Sequence, residues 1–411
     1  MSKLFFSGDG SAKVDAIVAF GQMFQDDPDP GKVNLVVGVY RNAKGVTPVL
    51  DCVKGAEERL IGEETSKAYL PLAGEAAFVA GAGKLVFGAG HRRLAAGQIH
   101  SVQTPGSTGA LRLAGELVRQ RVPGASVWLG TPAYSNHRPI FQACGLGIQT
   151  CRYYDVARGV TTFADMLADL EKARPGDVVL LHAVCHNPSG ADLTPGEWER
   201  LARFMAERSL LPLVDAAYLG IRGPLDEDAA GIRILADICP EVLVATSFSK
   251  NFALYAERVG LLSVVASSPA DCAAAAGDLA AIVRALYTSP PSHGARVVAT
   301  ILSDDRLRAL WVGELEAMRG RMLDMRMKFA DLLDRHQVHG SVFPHIRDNR
   351  GMFVLSTLTA DEVGQMREED HIYLLDTGRL SVAGMNEADL PKICAAISRV
   401  TRHRFDTGNA G

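Results

Sequence analysis

The chain has 411 residues, of which 47% are apolar and 22% are charged, a globular balance rather than a disordered one. This length allows two domains with a large buried core. A net charge of −4 gives no general attraction to nucleic acid or to an anionic membrane. The seven cysteines are scattered without a CxxC pair, so neither a zinc site nor a disulfide scaffold is predicted. Small buried thiols in a reducing cytosol are expected instead.

The N-terminus and the apolar stretches bear on where the protein acts. Met1 to Phe6 contain one lysine and a very short apolar run, without the apolar stretch and cleavage site of a signal peptide. Elsewhere charges interrupt the apolar stretches, as Asp278 and Arg284 do between Cys272 and Ala285. We therefore expect a soluble, cytoplasmic protein without a membrane-spanning segment. The cysteine spacing described above adds the expectation that the protein binds no metal.

The middle of the chain alternates short apolar runs with stretches of helical period. The runs predict strands at Ser126–Leu129, Ile148–Tyr153, Asp177–His182, Leu211–Asp215, Val242–Thr246 and Leu261–Val265. The stretches predict helices at Thr108–Gln120, Thr162–Lys172, Pro195–Arg208 and Asp228–Ile238. This alternation predicts an α/β fold with a mostly parallel sheet covered by helices.

The pattern changes beyond about Leu310. Long helices come first, then short strands at Met352–Ser356, Ile372–Leu375 and Leu380–Ala383, and a last helix from Glu387 to about Arg402. We expect three parts: an N-terminal arm that contributes to a small domain (1–48), a large domain (49–310) and a small α+β C-terminal domain (311–411).

The strongest local signal for chemistry is Ser247-Phe-Ser-Lys250-Asn-Phe252, which directly follows a predicted strand. Ligands of parallel α/β sheets bind outside the carboxyl ends of the strands, so the topology brings Lys250 to a site. A partly desolvated lysine there can form a Schiff base with an aldehyde. The alternative is a solvated surface charge.

Asp215 ends another predicted strand, whose Pro212 has to lie near the strand's start because it cannot donate to the sheet. A buried aspartate needs a cationic or hydrogen-bonding partner, and a protonated pyridine nitrogen is one. Tyr218, three residues on, can donate to the phenolic oxygen of such a ring. The alternative for Asp215 is a helix N-cap.

A phosphate needs a cup of backbone N–H groups, and Pro105–Ala110 provides one at the start of a predicted helix. Arg258 offers a bidentate positive charge, and the Ser247 hydroxyl is a further donor. A simple Gly-rich turn is the alternative here. His186-Asn187-Pro-Ser-Gly190 follows another strand; Asn187 can donate its amide to a ring oxygen, or the segment is a structural turn.

Motifs spread over nearly the whole chain, in this order and spacing, resemble the class I (fold type I) pyridoxal-phosphate aminotransferases. Within that family, the subgroup of aspartate and aromatic-amino-acid aminotransferases is the most similar. The motifs lie at Asn34–Tyr40, Gln103–Leu111, Cys185–Gly190, Asp215–Tyr218, Ser247–Phe252, Glu257–Gly260, Tyr287–Pro291 and Gly378–Met385.

The resemblance implies pyridoxal 5′-phosphate as cofactor, ping-pong transamination through an internal aldimine, and a role for each matching residue. Lys250 resembles the aldimine lysine and proton-transfer base, and Asp215 the partner of the pyridine nitrogen. Asn187 and Tyr218 match the pair at the phenolic oxygen. The residues matching the phosphate cup and its surroundings are Ser107, Thr108, Ser247, Ser249 and Arg258. His182 and His137 match histidines near Asp215.

Further matches concern the substrate and a second subunit. Arg379 resembles the clamp for the substrate α-carboxylate, with Gly38 beside it. Tyr69 resembles a tyrosine that reaches the cofactor phosphate of the other subunit, which implies a homodimer with shared active sites. Tyr134 stands where the family usually stacks a tryptophan on the cofactor ring, so contacts to cofactor and substrate near that ring are expected to differ.

The resemblance also bears on the substrate. Arg284 matches the arginine that grips the distal carboxylate of a dicarboxylate, and aromatic enzymes of this subgroup swing it aside. Ser289 resembles the aromatic enzymes, whereas Val39, Arg41 and Thr47 favour the aspartate enzymes. The hypothesis is dual use, with aromatic amino acids or aspartate as donor and 2-oxoglutarate as acceptor. A strict aspartate aminotransferase is the alternative.

Two other classes of protein share part of this pattern. Ser247 and Lys250 also fit the SxxK motif of penicillin-recognising serine enzymes, but no KTG follows and the elements come in the wrong order. A non-catalytic regulator with this fold typically loses Lys250 or Arg379, and both are present.

Overall fold

The computed structural model of the protein describes residues 15–406. The predictions for Met1–Phe6 and for the outermost residues of the first and last expected parts lie outside this range. The strands are β1 (Val33–Asn34), β2 (Ile99–Pro105), β3 (Ser126–Thr131), β4 (Gly147–Arg152), β5 (Tyr154–Asp155), β6 (Val160–Thr161), β7 (Val178–His182), β8 (Leu211–Ala216), β9 (Val242–Ser247), β10 (Val259–Val265), β11 (Phe353–Leu355), β12 (Ile372–Tyr373) and β13 (Arg379–Ser381).

The α-helices are α1 (Ala16–Asp26), α2 (Asp51–Glu63), α3 (Ala76–Phe87), α4 (Arg92–Ala95), α5 (Gly106–Arg121), α6 (His137–Ala143), α7 (Phe163–Leu170), α8 (Pro195–Glu207), α9 (Leu225–Asp228), α10 (Ala230–Ile238), α11 (Pro269–Leu286), α12 (His293–Ser303), α13 (Asp305–Arg335), α14 (Ala360–Asp370), α15 (Leu390–Thr401) and α16 (His403–Asp406). Short 3₁₀ turns lie at Gly340–Val342, Val382–Gly384 and Glu387–Asp389. Within residues 15–406, no helix has both the length and the hydropathy needed to cross a membrane.

A seven-stranded sheet forms the centre of the molecule, with the strand order β2-β10-β9-β8-β7-β3-β4. Strands β4, β3, β7, β8 and β9 pair in parallel, and β10 runs antiparallel to both of its neighbours. The prediction of a mostly parallel α/β sheet flanked by helices is confirmed, and the six predicted strands of the middle of the chain are all present.

Strand β2 is absent from the prediction because its buried positions are partly polar. Gln103 and Thr104 are fully buried, and the hydroxyls of Ser101 and Ser263 lie 2.7 Å apart across the β2–β10 pair. Hydrogen bonds between strands and side chains satisfy these groups, so the strand needs no apolar run. Tertiary pairing therefore decides this strand, not a local hydrophobic pattern.

Helix α8 begins where the sequence predicts it. Thr194 accepts a hydrogen bond from the backbone N–H of Glu197, and Glu197 accepts one from the N–H of Thr194, a complete capping box. The helix predicted at Asp228–Ile238 is α10, which begins two residues later, at Ala230; Asp228 is the last residue of the separate short helix α9. The carboxylate of Asp228 accepts hydrogen bonds from the backbone N–H groups of Gly220 and Arg222.

The last third of the chain packs together with the segment before Pro48. Val33 and Leu35 share one hydrophobic cluster with residues of α13, α14 and α15, and β1 pairs with β12. This packing supports the expected small domain, whose boundaries stay a prediction. The predicted strand at Leu380–Ala383 is shorter, because the chain turns into the 3₁₀ segment Val382–Gly384, and another 3₁₀ turn precedes α15.

Candidate active site

A cavity of about 260 Å³ opens where β7, β8 and β9 end. Thirteen of the residues proposed from the sequence line it: Gly38, Ser107, Thr108, Tyr134, His182, Asn187, Asp215, Tyr218, Ser247, Ser249, Lys250, Arg258 and Arg379. Four other lining residues were not proposed as site residues: Ile17, Leu111, Ala217 and Phe353. Leu111 and Ala217 are apolar members of motifs already quoted, whereas only the fold reveals Ile17 and Phe353.

Lys250 follows β9 by three residues, and its Nζ lies 5.5 Å from the centre of the Tyr218 ring. Burial lowers the pKa of Lys250; the carboxylate of Asp215 opposes this effect, and the charge of Arg258 adds to it. A lowered pKa increases the fraction of neutral, nucleophilic amine. The alternative of a solvated surface lysine is therefore wrong.

Asp215 lies inside β8, directly beside His182 of β7 in the sheet register, and is 4% exposed. Its Oδ2 is 2.9 Å from Nε2 of His137. Burial alone would raise the pKa of Asp215, but the hydrogen bond and charge of His137, with His182 and Lys250, lower the pKa overall. The helix N-cap alternative is wrong, because the next helix begins at Leu225.

The second carboxylate oxygen of Asp215, Oδ1, is buried and has no hydrogen-bond partner within the described part of the chain. An unsatisfied buried carboxylate oxygen is costly unless a ligand completes it. The protonated pyridine nitrogen of the implied cofactor is a group of the required charge and donor capacity. Because this buried oxygen lacks a partner, the residues that line the cavity fit that cofactor.

The opposite end of the cavity is suited to a phosphate. Helix α5 starts at Gly106, and its first turn presents Ser107 and Thr108 beside backbone N–H groups that have no acceptor within the helix. Nη1 of Arg258 donates to Oγ of Ser249 over 3.3 Å, and a Cβ at Gly106 would lie 2.5 Å from Nη2 of Arg258. Gly106, at φ +70°, therefore leaves the space in which the guanidinium lies.

Arg379 lies on β13, in the last third of the chain, and is 3% exposed. Its Nη1 donates to Oδ1 of Asn187 over 3.3 Å, its Nη2 donates to the carbonyl of Val36 over 2.5 Å, and its guanidinium lies 4.3 Å from the centre of the Phe353 ring. Its buried Nε has no partner within residues 15–406. The arginine is thus held in place with donor capacity left for an anion.

Aromatic and small residues complete the walls. Burial raises the pKa of both Tyr134 and Tyr218, so both hydroxyls stay protonated donors at neutral pH. A Cβ at Gly38 would lie 2.5 Å from Cζ of Phe353, so only glycine lets the two segments approach this closely. Asn187 belongs to a structural turn and lines the cavity as well, so the two interpretations of its motif are compatible.

The structure does not bring Tyr69 and Arg284 to the cavity of their own chain. Tyr69 is 91% exposed, and Arg284 is exposed on the last turn of α11. The two segments meet on the surface, where Oγ of Ser289 donates to the carbonyl of Leu70 over 3.1 Å. All seven cysteines are buried and unpaired, as predicted.

Comparisons with known proteins place the chain among enzymes. A family model described as aminotransferase class I and II matches residues 30–397. An aspartate aminotransferase of Haemophilus influenzae is 41% identical over 95% of this chain and 98% of its own length. An aromatic-amino-acid aminotransferase of Pseudomonas aeruginosa is 41% identical over 94% of this chain and 96% of its own length.

A solved structure extends the comparison to the cofactor. The aromatic-amino-acid aminotransferase of Burkholderia pseudomallei, covalently bound to pyridoxal phosphate, superposes with a TM-score of 0.93 at 38% identity, over 97% of this chain and 100% of that one. The predicted fold type I architecture and the predicted cofactor are confirmed, and the serine-enzyme and regulator alternatives are wrong. The chain therefore belongs to the class I and II aminotransferases, as a fold type I enzyme with pyridoxal phosphate as its cofactor.

Proposed function

We propose that the protein transfers the amino group between an amino acid, either aromatic or aspartate, and 2-oxoglutarate. The observation that carries this proposal is the arrangement of Lys250 and Asp215 in one cavity, between an anion cradle and the buried Arg379. Relatives named for aspartate and for aromatic amino acids are equally similar to this chain.

In the proposed binding mode, Lys250 attaches the cofactor and Asp215 Oδ1 accepts from its ring nitrogen. Asn187 and Tyr218 hold the phenolic oxygen, and Tyr134 covers the ring. The phosphate is held by groups at the start of α5 and after β9: Ser107, Thr108, Ser247, Ser249 and Arg258. His182 and His137 keep Asp215 oriented and charged.

The bound cofactor supplies an electron sink for the negative charge that develops at the substrate Cα. The neutral amine of Lys250, which the lowered pKa of this lysine favours, would take the proton from the substrate Cα. Asp215 keeps the ring nitrogen protonated, because its own charged form is stabilised by the histidines beside it. Arg379, beside Gly38, holds the α-carboxylate and thereby orients the Cα–H bond.

The proposed active unit is a homodimer. Tyr69 and Arg284 are exposed and do not line the cavity of their own chain, which supports a role for both in the cavity of another copy. A twofold axis makes such an exchange reciprocal. Arg284 would then bind the distal carboxylate of aspartate or 2-oxoglutarate. The proposed location is the cytoplasm, where buried unpaired thiols such as these stay reduced.

Two experiments test the proposal. Reduction of the cofactor-loaded protein with borohydride, followed by peptide mass analysis, is expected to place the adduct on Lys250; an adduct elsewhere would overturn the assignment. Aspartate, tyrosine and phenylalanine are then compared as donors to 2-oxoglutarate, with Arg284→Leu as the variant. Turnover of aspartate alone would favour the strict aspartate enzyme, and unchanged aspartate turnover in Arg284→Leu would contradict the distal clamp.

A further inference from the structure

A second cavity, of about 190 Å³, lies outside the candidate active site, where α13 meets two loops. Four of its lining residues are arginines: Arg222, Arg319, Arg326 and Arg350. Glu316 is the one acid among the lining residues that the structure describes. No step of the proposed transamination uses this cavity.

Two of the four guanidinium groups have a carboxylate close by. Nε of Arg222 lies 3.2 Å from Oδ2 of Asp192, and Nη2 of Arg319 lies 3.7 Å from Oε1 of Glu316. These two charges are therefore largely compensated within the protein.

The other two have no carboxylate within 4.0 Å in the part of the chain that the structure describes. Arg326 is 1% exposed, and its Nη2 donates to the carbonyls of Gly351 over 2.9 Å and Phe353 over 2.8 Å. Arg350 donates to carbonyls of its own loop, including that of Arg347 over 2.7 Å. Within residues 15–406, carbonyl oxygens accept from Nη1 and Nη2 of Arg326 but only from Nη1 of Arg350, so part of the donor capacity is left. The carbonyls carry no negative charge, so two positive charges line one cavity without a carboxylate partner.

This arrangement is unfavourable without a counterion. Burial, with a further contribution from the charge of Arg350, lowers the pKa of Arg326 to about 10. Burying a cation without an anionic partner is unfavourable, and an anion that binds here would offset much of that cost.

We propose that this cavity is a binding site for a phosphate-type oxyanion, either inorganic phosphate or the phosphate group of a small monoester. Arginine forks match the geometry of a phosphate, and they bind it by two parallel N–H···O bonds. Since a water molecule takes about 30 Å³ in the liquid, the cavity has room for a phosphate with its remaining waters. The bound anion would join α13 to the loops that carry Arg222 and Arg350.

The test measures phosphate binding to the cofactor-saturated enzyme, whose own phosphate cradle is then filled. Inorganic phosphate is titrated by calorimetry, and unfolding temperatures are compared with sodium chloride at the same ionic strength. Phosphate is expected to bind and to raise the unfolding temperature, because a ligand of the native state stabilises it, whereas chloride is expected to have little effect. An equal rise with both salts would overturn the proposal, since it would reflect charge screening alone.

A pair of matched variants locates the site. Gly320 lines the cavity on α13, and a Cβ there meets nothing within 4 Å, so Gly320→Glu places a carboxylate beside the arginines without a clash. Gly313 lies on the same helix, also with nothing within 4 Å, and is not among the lining residues. Phosphate binding is expected to weaken at least tenfold in Gly320→Glu and to be unchanged in Gly313→Glu.

A third variant, Arg350→Gln, removes one uncompensated charge and is expected to weaken binding by a similar factor. Phosphate bound at the active site, near Arg258 and Arg379, would be insensitive to Gly320→Glu; equal dissociation constants in both glycine variants would therefore overturn the proposal.

Glycerol 3-phosphate is titrated beside inorganic phosphate. Tighter binding of the ester supports a phosphate monoester as the natural ligand, and tighter binding of the inorganic ion supports free phosphate.

Discussion

At the scale of single residues, the charge on Asp215 is the property on which the proposed chemistry depends. Burial of this carboxylate favours its neutral form. The hydrogen bond from His137 and the nearby charges together outweigh that effect, so the pKa of Asp215 is lowered. Such opposing contributions are typical of carboxylates at functional sites.

Replacing Asp215 by alanine is expected to lower turnover by at least about 10²–10³-fold, because the ring nitrogen loses the anion that keeps it protonated. Stopped-flow measurement of the aspartate half-reaction checks this, and the cofactor is expected to remain bound weakly. Asp177→Asn is the control: Asp177 is also buried but accepts from Trp128 and Ser126 away from the cavity, so it bears on stability only. Near-normal rates in Asp215→Ala would rule out the electron-sink role.

Removing His137 changes the pH dependence. The pKa of Asp215 is lowered in the folded protein, so its carboxylate persists to pH values below the ordinary range. In His137→Phe, the largest of the contributions that lower the pKa of Asp215 is lost, so this pKa is expected to rise. The acid limb of kcat/KM is then expected to move to higher pH. The exposed His345 gives the control variant His345→Phe. An unmoved acid limb would show that His137 does not set the charge of Asp215.

At the scale of elements, the start of α5 and the loop after β9 together form the proposed phosphate cradle. The carbonyl of Arg258 accepts from the N–H of Gly106 over 3.0 Å, so the last residue before β10 is joined directly to the first residue of α5. The helix contributes N–H groups and the loop contributes charge.

Gly106→Ala is expected to weaken cofactor binding about tenfold, because the new Cβ occupies the place of the Arg258 guanidinium. Gly124→Ala is a matched control: it also has a positive φ, of 83°, but a Cβ there meets nothing within 4 Å. Both variants carry similar backbone strain, so only the contact with Arg258 separates them. Absorbance titration with pyridoxal phosphate measures the difference, and equal affinities would contradict the cradle.

At the scale of the whole molecule, the question is which chain completes each cavity. Tyr69 and Arg284 are exposed and lie apart from their own cavity. A closed dimer with a twofold axis brings the same surface of each copy to the other.

Mixing two inactive variants tests this exchange. After dissociation and reassociation, a mixture of the two single variants Lys250→Ala and Arg284→Leu is expected to recover about a quarter of the wild-type activity toward aspartate. Half of the dimers are then mixed, and each mixed dimer has one intact site. If Arg284 acted within its own chain, the mixture would stay inactive. Native mass spectrometry of the mixture, with one variant isotope-labelled, checks that subunits have exchanged.

The sequence by itself determined the family resemblance, the cofactor and most of the cavity residues, because the motifs at Ser247–Phe252 and Asp215–Tyr218 follow strands whose carboxyl ends share one edge of a parallel sheet. It also determined the start of α8, because a capping box acts within four residues. Only the tertiary structure decided the strand Ile99–Pro105, whose polar buried side chains are satisfied by partners distant in sequence. The tertiary structure also decided that Phe353 lines the cavity, that Tyr69 and Arg284 lie on the outer surface, and that four arginines surround one cavity. The sequence does not predict these features, because local periodicity does not depend on which distant segments lie close together.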